Sequence, residues 1–478
     1  MRASPRDRTR ASKLGDHPLN GRCTIILAAG QGTRMKSSLP KVLHAVAGAP
    51  MVFWSIDAAL AAGSDSVVLV VGHGREAVTE SVRARFGERV RFAVQTEQRG
   101  TADAVRAGMT EVPGDAREVL ITYGDVPCVP ARALDALVAA RGSAPLAMIT
   151  TEVADPTGYG RVLRDDQGRI RAIREHKDCS AAERAVRCVN PGLYAADRAF
   201  LAASLGRIGS TNAQGEFYLT DLVAIAADEG GVADLPWEPT PLRGVNDRAE
   251  LAAAEAQLWD RVADEHRRAG STISVGARID RDVVVAPGVT IAANVTLRGH
   301  TSLGTGTFVD TGCVLEDAAI GEGVLLKPYT LVTRCEVHDG AQLGPFAHLR
   351  PESVVEAGAH VGNFVELKKT RLGKGAKANH LAYLGDGVIG PRANVGAGTI
   401  FCNYDGFRKH VTTLEEGAFI GSNSSLVAPV TIGRNAYVGS GSVITRDVPE
   451  DALAIGRAKQ ENKEGYGRRL RERFGTKR

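Results

Sequence analysis

The chain has 478 residues, and at roughly 150 residues per domain this length allows two or three domains. Hydrophobic residues make up 44% and charged residues 24%, a globular composition, and no apolar run reaches the roughly 18 residues that a membrane span needs. The net charge of +4 lies in the tails, because residues 1–20 and 468–478 are both rich in Lys and Arg. The slightly acidic remainder excludes a basic nucleic-acid-binding face. We interpret both tails as solvated, disordered ends, with an interaction role as the alternative.

Seven cysteines are spread along the chain without a CxxC pair. This usage is typical of a reducing compartment and argues against a disulfide framework or a cysteine metal cluster. The Arg-rich residues 1–20 lack the apolar core of a secretory signal, so we expect a cytoplasmic protein. Asp7 and Asp16 disfavour the remaining alternative, an organellar transit peptide.

Residues 21–246 alternate short apolar runs with segments of helical content, such as 51–62 and 101–109. This order predicts an α/β domain with a mainly parallel, Rossmann-like sheet that binds ligands at the carboxyl ends of its strands. The predicted strands cover residues 24–27, 66–71, 91–94 and 118–122.

Residues 247–270 are predicted to form one helix. Asp247 can cap its start with Glu250 three residues further on, and Gly270 ends it. We interpret this helix as a rigid connector between two domains.

From residue 271 to residue 457 the aliphatic residues recur at every sixth position. Neither a helix nor a flat strand has this period, whereas hexapeptide repeats predict a parallel β-helix with one inward aliphatic on each side of a triangular coil. Breaks near Ala318, Arg334 and Arg371, and the unpatterned residues 403–410, are predicted to be loops that leave the coil. Residues 458–478 then form a basic tail. The aliphatic positions are Ile273, Ile279, Val285, Ile291, Leu297, Leu303, Val309 and Leu315, then Leu343, Leu349, Val355, Val361 and Leu367, then Leu414, Ile420, Leu426, Ile432, Val438 and Ile444.

A glycine-rich turn follows the first predicted strand and has the sequence Leu27-Ala-Ala-Gly-Gln-Gly-Thr-Arg-Met35. Its small residues allow backbone N–H groups to approach a triphosphate, and Arg34 and Lys41 add fixed positive charge. The turn is too short for the dinucleotide fingerprint or the GxxxxGKS loop, and a tight turn without a ligand is the alternative.

The turn, together with Pro40-Lys41, closely resembles the LxxGxGxRM…PK signature of sugar-nucleotide pyrophosphorylases. Further motifs follow in the order of that family: Gln95-Thr-Glu-Gln-Arg-Gly-Thr101, Tyr123-Gly-Asp125, Gly158-Tyr-Gly160, Glu175-His-Lys177, Asn190-Pro-Gly192 and Gly244-Val-Asn246. The resemblance implies nucleotide contacts at Leu27, Ala28, Ala29, Gly30, Lys41 and Tyr123, uracil contacts at Gln95, Gly100 and Thr101, and sugar contacts at Gly160, Glu175 and Asn190. Asp103 stands where His is common, and we expect it to disturb none of these contacts.

A metal site is implied at the end of the strand that precedes Asp125. The Asp125 carboxylate can hold Mg²⁺ between nucleotide and sugar phosphate, and the resemblance implies that Asn246 adds a neutral oxygen. Such a transfer needs metal, cations and positioning rather than covalent catalysis, so Arg34 and Lys41 are the catalytic candidates. A turn-capping role is the alternative for Asp125.

The second half resembles the acetyltransferase half of the bifunctional N-acetylglucosamine-1-phosphate uridylyltransferase and glucosamine-1-phosphate N-acetyltransferase family. Together the two resemblances cover residues 21–457 and imply a left-handed β-helix, with UTP, glucosamine-1-phosphate and acetyl-CoA as substrates. In that family the site is shared between subunits of a homotrimer. The motifs are Arg350-Pro351, Asn363-Phe-Val-Glu366, Lys368-Lys369, His380-Leu-Ala-Tyr383, Gly396-Ala-Gly398 and Asn403-Tyr404.

Acetyl transfer needs a group that takes a proton from the sugar nitrogen, and an imidazole can do this at neutral pH. His380 is the candidate base, Glu366 the expected orienting carboxylate, and a structural histidine the alternative. The resemblance implies the remaining contacts: sugar phosphate at Arg350 and Lys368, sugar and oxyanion at Tyr383, Asn394, Asn403 and Tyr404, and acetyl-CoA at Ala397, Ser422, Ser440 and Arg457. Ser440 stands where Ala is frequent.

Two other functions are alternatives. A pyrophosphorylase whose β-helix only assembles subunits or binds an effector would lack the His380/Tyr383 cluster and the long segment after Asn403. A non-catalytic interaction subunit would have lost Arg34, Lys41 or Asp125. The chain retains all of these features.

Overall fold

The computed structural model describes residues 21–475, so the predictions for residues 1–20 lie outside the described residues. The chain divides into two compact units, Met1–Leu258 and Trp259–Arg478. The division falls inside the helix Arg248–Arg268, which occupies the span predicted for the connector. One carboxylate oxygen of Asp247 accepts the backbone N–H groups of Ala249 and Glu250, both at 2.9 Å, which satisfies donors that the first turn leaves free.

The first unit is built on a ten-stranded sheet. Its first four strands are parallel, as expected, but the rest of the sheet is mixed, because Tyr194–Asp197 runs antiparallel to both of its neighbours. The strand order is Val90–Val94, Ser66–Val71, Arg22–Ala28, Glu118–Tyr123, Tyr194–Asp197, Leu146–Glu152, Cys188–Asn190, Gly160–Arg164 and Ile170–Arg174, with Val232–Pro236 paired in parallel to Leu146–Glu152.

Both faces of this sheet are covered, which explains why its strands are continuous apolar runs. Along the strand Arg22–Ala28, Ile25 packs into a core with the helix Thr101–Met109, whereas Ile26 packs into the opposite core with the helices Met51–Ala61 and Arg75–Phe86. The other helices of this unit are Ala131–Arg141, Ala181–Arg184, Arg198–Leu205 and Asp221–Glu229, and single turns of 3₁₀-helix lie at Thr33–Met35, Lys41–Leu43, Gly87–Arg89, His176–Asp178 and Thr240–Leu242.

The second unit is a parallel β-helix with three flat sides. Pairing between successive coils is in register, as in Ile279 with Leu297 and Leu297 with Leu315. The predicted ladder residues are all buried, with Ile273 the most exposed at 7%. Each such side chain contributes about 1.5–3 kcal/mol through burial, so the ladder is the core of this unit.

Most of the strands in this unit are short. They are Thr272–Ile273, Arg278–Ile279, Val284–Val285, Thr290–Ile291, Thr296–Arg298, Ser302–Leu303, Phe308–Val309, Val314–Glu316, Ala319–Ile320, Leu325–Leu326, Leu331–Thr333, Glu336–Val337, Gln342–Leu343, His348–Leu349, Val354–Val355, His360–Lys368, Arg371–Leu372, Lys377–Gly385, Gly387–Ile389, Asn394–Val395, Ile400–Cys402, Thr412–Leu414, Phe419–Ile420, Ser425–Val427, Val430–Ile432, Tyr437–Val438, Val443–Ile444 and Leu453–Ala454.

The prediction that loops leave the coil near Ala318, Arg334 and Arg371 is wrong. At each place the chain stays in the coil, and the corner is shortened around a left-handed residue: Asp317, Arg334 or Lys369. A single residue with positive φ turns the chain sharply enough to omit one position. The segment after Asn403 does leave the coil, as a hairpin closed by a bridge between Tyr404 and Lys409.

The prediction of a disordered end for residues 468–478 is wrong for residues 468–474, which belong to the helix Tyr466–Phe474, whose side chains are all exposed. Tyr466, Leu470 and Phe474 recur every fourth residue between arginines, a spacing that favours an amphipathic helix. Within residues 21–475, no helix combines the length and apolar character needed to cross a membrane.

Candidate active sites

Two adjoining cavities lie at the carboxyl ends of the strands Arg22–Ala28 and Glu118–Tyr123. They share Thr101, Tyr123 and Asp125 as lining residues and have volumes of about 330 and about 1150 Å³. The smaller cavity is lined by the predicted nucleotide and uracil residues Leu27, Ala28, Ala29, Gly30, Lys41, Gln95 and Gly100. The larger is lined by the predicted residues Arg34, Gly160, Glu175, Asn190 and Asn246.

The glycine-rich turn folds back onto Lys41. Gly32 has a φ of +63°, and a Cβ atom there would lie 2.6 Å from Lys41 Cβ. The position therefore requires glycine for both its conformation and its close approach. Met35, which is fully buried, anchors the end of the turn, so the exposed Arg34 is held beside the larger cavity.

Lys41, Asp125 and Asn246 meet although they come from distant parts of the chain. The backbone N–H of Val245 donates to the carbonyl of Asp125 at 2.8 Å, which brings Asn246 beside it. The Lys41 ammonium pairs with the Asp125 carboxylate and donates to Asn246 Oδ1 at 2.9 Å. The two side-chain oxygens thus converge on one cationic group, an arrangement that fits a hard divalent ion.

Asp103, which stands where His is common in the family that the sequence resembles, contacts the predicted uracil residue Gln95. Gln95 Nε2 donates to the backbone carbonyl of Gly100 at 3.1 Å and to Asp103 Oδ2 at 3.2 Å. Both partners are acceptors only, so they determine which end of the Gln95 amide faces them. The exposed side chain of Arg99 also pairs with Asp103, at 3.2 Å.

The predicted sugar residues Glu175 and Asn190 are held by neighbouring side chains. Burial raises the pKa of the Glu175 carboxyl, and a hydrogen bond of 3.0 Å from the Thr220 hydroxyl opposes this shift. Asn190 donates to the Tyr194 hydroxyl at 2.6 Å and accepts from the backbone N–H of Gly192 at 2.9 Å. These contacts fix both side chains in the cavity wall.

In the second unit, His380 lies beside Asn363 and not beside Glu366, so the expected orienting carboxylate is wrong. Asn363 and His380 are paired in the register of two successive coils, and His380 Nδ1 is 2.9 Å from Asn363 Oδ1. Because Asn363 Oδ1 only accepts, Nδ1 is the donor in this contact, and in the neutral imidazole the other ring nitrogen, Nε2, then keeps its lone pair.

Glu366 instead forms an ion pair with Arg350. Its carboxylate accepts from the Arg350 guanidinium at 2.7 Å, and this raises the pKa of Arg350. In the register Glu366 lies opposite Tyr383, three residues along the strand from the Asn363–His380 pair. Left-handed Phe364, with a φ of +58°, turns the chain between these two pairs, so Glu366 pairs with Arg350 and not with the imidazole.

Lys368, Tyr383 and Asn403 gather around Gly385. A Cβ atom at Gly385 would lie 2.5 Å from the Tyr383 hydroxyl and 2.6 Å from Asn403 Nδ2, so only glycine allows both to approach. Lys368 and Asn403 both bind Asp386, a residue that the sequence motifs did not point to. Tyr404 is exposed at the base of the hairpin.

The predicted acetyl-CoA residues follow one corner of the β-helix through successive coils. Hydrogen bonds of 2.7–2.8 Å run from Gly398 to Leu381, from Asn423 to Ala397 and from Gly441 to Ser422. These hydrogen-bonded corner residues form a column along the β-helix. Because Leu381 directly follows His380 in the chain, the column begins beside the imidazole. It continues through Ser440, which precedes Gly441, to Arg457, whose Cδ would lie 3.6 Å from a Cβ atom at Gly441. The predicted residue Asn394 is paired in register with Lys377 and Phe419 of the adjacent coils.

The site residues that sequence reasoning missed are Asn363 and Asp386 in the second unit and Gln98 in the first, which donates to the carbonyl of Ala29 at 2.7 Å. The coil period could have identified Asn363, because it lies one coil before His380 on the same face.

Both units match known protein families. Residues 24–196 match the MobA-like NTP transferase domain, and residues 412–446 match the bacterial transferase hexapeptide (six repeats). A protein of Sorangium cellulosum is 56% identical over 94% of this chain and 97% of its own length. Proteins of Anaeromyxobacter sp. strain Fw109-5 and Pseudomonas syringae pv. syringae are 52% and 48% identical over 92% and 93% of this chain, and 91% and 97% of their own lengths. All three are called bifunctional protein GlmU.

An NTP transferase unit joined to a hexapeptide β-helix with an accessible imidazole defines a two-site transferase. The identities over nearly the whole chain show that it belongs to the bifunctional GlmU family. It is therefore a bifunctional enzyme of UDP-N-acetylglucosamine synthesis, a nucleotidyltransferase and an acetyltransferase in one chain.

Proposed function

We propose that the second unit acetylates glucosamine-1-phosphate with acetyl-CoA, and that the first unit then joins the product to UTP with Mg²⁺. The observation that carries the acetyl-transfer assignment is the His380–Asn363 hydrogen bond. A β-helix that only assembled subunits would have no need for an exposed imidazole held in one tautomer.

In the acetyl-transfer step, His380 Nε2 takes a proton from the sugar nitrogen as that nitrogen attacks the thioester carbonyl carbon. The C–N bond forms, the carbonyl electrons move to oxygen, and the C–S bond then breaks to release CoA, which receives a proton. Arg350 and Lys368 bind the sugar phosphate, the former as a planar fork and the latter as a point charge. Tyr383 and Asn403 orient the sugar and donate to the oxyanion.

In the uridylyl-transfer step, a phosphate oxygen of N-acetylglucosamine-1-phosphate attacks the α-phosphorus of UTP in line and releases pyrophosphate. Asp125 and Asn246 would hold Mg²⁺, which supplies charge stabilisation to the phosphates when bound. Arg34 and Lys41 bind the β- and γ-phosphates, and Gln95, Gly100 and Thr101 hold the uracil. Glu175, Gly160 and Asn190 hold the acetylated sugar.

The enzyme acts as a cytoplasmic homotrimer in this proposal. The assembly is supported by three exposed aromatic rings, Tyr329, Phe346 and Phe364, which stack along one corner of the β-helix with 5.3 Å between centroids. A continuous exposed apolar stripe of this kind is typical of an interaction surface.

An omission assay tests the proposal. Purified enzyme is supplied with glucosamine-1-phosphate, acetyl-CoA, UTP and Mg²⁺, and CoA and pyrophosphate release are followed as each component is left out. CoA release should need only the sugar phosphate and acetyl-CoA, whereas pyrophosphate release should need all four components. Pyrophosphate release that continued at the full rate without acetyl-CoA would contradict the order of the two steps.

A further inference from the structure

We infer that Asp386 is a positioning residue of the acetyl-transfer site, which holds the Lys368 ammonium and the Asn403 amide in the orientations that bind glucosamine-1-phosphate. The inference rests on the proposed function of this site.

Asp386 binds two of the proposed substrate ligands at once. Lys368 Nζ donates to its Oδ1 at 3.1 Å and to its Oδ2 at 3.0 Å, and Asn403 Nδ2 donates to Oδ2 at 2.5 Å. Lys368 is the last residue of the strand His360–Lys368. Asp386 directly follows the strand Lys377–Gly385 in the next coil, and Asn403 directly follows the strand Ile400–Cys402 in the coil after that. One carboxylate therefore connects ligands from three successive coils.

The backbone holds Asp386 firmly. Its φ of +52° is a left-handed conformation that Asp and Asn tolerate better than most residues. Its N–H donates to the carbonyl of Lys368 at 2.9 Å, and its own carbonyl accepts from Thr412 at 3.2 Å. The residue is only 9% exposed, so the carboxylate is shielded from the solvent that weakens surface ion pairs.

Another left-handed aspartate of the β-helix shows the ordinary use of such a corner. Asp317 has a φ of +49° and accepts the backbone N–H of His300 at 2.9 Å. Asp386 instead directs its carboxylate at two functional side chains. This difference suggests that its role lies in the site and not in the corner itself.

The contacts have a consequence for binding. A free lysine ammonium samples many positions, and two contacts with Asp386 restrict Lys368 before the phosphate arrives, which lowers the entropy lost on binding. The Asn403 amide is restricted in the same way, because one of its N–H groups is committed to Asp386.

The test compares Asp386→Asn with Asp317→Asn, since asparagine preserves the left-handed corner in both. The Asp386 carboxylate accepts three hydrogen bonds through two oxygens. Asparagine has only one accepting oxygen, because its side-chain nitrogen donates, so at least one of these contacts is lost. For Asp386→Asn, we expect the KM for glucosamine-1-phosphate to rise about tenfold, while the KM for acetyl-CoA stays within twofold. Asp317→Asn should match the unmodified enzyme in both constants, and uridylyl transfer from supplied N-acetylglucosamine-1-phosphate reports that each variant is folded.

A double variant separates positioning from a structural role. If Asp386 acts partly through Lys368, Asp386→Asn should raise the sugar-phosphate KM much less in a Lys368→Met background than in the unmodified enzyme. Asp386→Glu keeps the charge and should lie between Asp386→Asn and the unmodified enzyme. Equal rises in both KM values, an unchanged KM, or fully multiplicative effects would overturn the inference. Acetyl transfer that persisted in His380→Ala would instead reject the proposed site itself.

Discussion

The two sites of this enzyme are assembled in different ways. Lys41, Asp125 and Asn246 lie far apart in the sequence. Lys41 and Asp125 lie in the segments that follow two neighbouring strands, and the hydrogen bond from Val245 to Asp125 brings Asn246 beside them. Asn363 and His380 meet because one coil of the β-helix stacks on the next in register. The first arrangement depends on loop conformation, whereas the second depends on the repeat, so substitutions should affect them separately.

The sharpest test of this separation is a reciprocal pair of variants. We expect His380→Ala to lower acetyl transfer about 10²–10⁴-fold, because the general base is lost, and to leave uridylyl transfer near normal. Asp125→Ala should lower uridylyl transfer about 10²–10³-fold, because charge stabilisation at the phosphates is lost, and leave acetyl transfer unchanged. Each activity, measured with its own substrates, serves as the folding control for the other. If either change abolished both activities in folded protein, the two-site assignment would be wrong.

The next largest effect concerns the partner of the imidazole. Asn363→Ala should lower acetyl transfer about 100-fold, because His380 is no longer held in one orientation and tautomer. Asn363→Asp is the matched control, since it keeps an acceptor at the same place and should retain most of the rate. The kcat of acetyl transfer is the measurement. Similar losses in both variants would show that Asn363 is needed for some other reason.

A smaller effect is expected in the first unit, where Asp103 holds Gln95. Asp103→Ala should raise the KM for UTP about tenfold, because a hydrogen bond to a charged group no longer orients the amide. Arg99→Gln is the control, because it removes only an exposed ion-pair partner and should change the KM little. Steady-state pyrophosphate release at varied UTP concentration distinguishes the two. A KM that changed equally in both variants would assign the effect to the ion pair.

The smallest effect is on stability. Burial raises the pKa of Glu175, so its protonated form is favoured by folding and its ionised form is penalised. The contribution of protonated Glu175 to the free energy of unfolding is therefore fully present below its unfolded pKa of about 4.3. It is lost as the pH rises through the raised pKa of the folded state. Glu175→Gln should therefore raise the Tm of the first unit by about 2–4 °C at pH 7, and calorimetry should show the gain shrinking in acid. A lower Tm at pH 7 would contradict the penalty.

Much of the fold could be predicted from the sequence because the apolar pattern of each unit continues over a long stretch of the chain. Four strands and two helices of the first unit were placed within two residues, and the ladder from Ile273 to Ile444 is buried as expected. The corners near Asp317 and Arg334 were mistaken for loops, since one residue with positive φ shortens a corner and leaves the same gap in the pattern as an inserted loop. The high charge of the C-terminal tail likewise led to a prediction of disorder, although the spacing of Tyr466, Leu470 and Phe474 favours a helix.

Residue type points to the candidate sites, whereas register decides the contacts within them. The motifs single out Asp125, which lines both cavities, and His380, and the catalytic roles of both stay predictions. Glu366 is the expected orienting carboxylate of the imidazole, yet the register places Asn363 there instead. The contact between Asp103 and Gln95 depends on how one helical turn faces a loop, which no sequence pattern specifies.

The hairpin that begins after Asn403 shows where this β-helix tolerates added length. Because Asn363 and His380 are one coil apart, their separation is set by the spacing of adjacent strands, about 4.8 Å. Inserting a complete coil between them would leave every ladder residue buried, but it would move the two side chains too far apart for a hydrogen bond. Insertions and deletions in evolution are therefore expected at corners such as the one that carries the hairpin, while the stretch from Asn363 to His380 keeps a constant length.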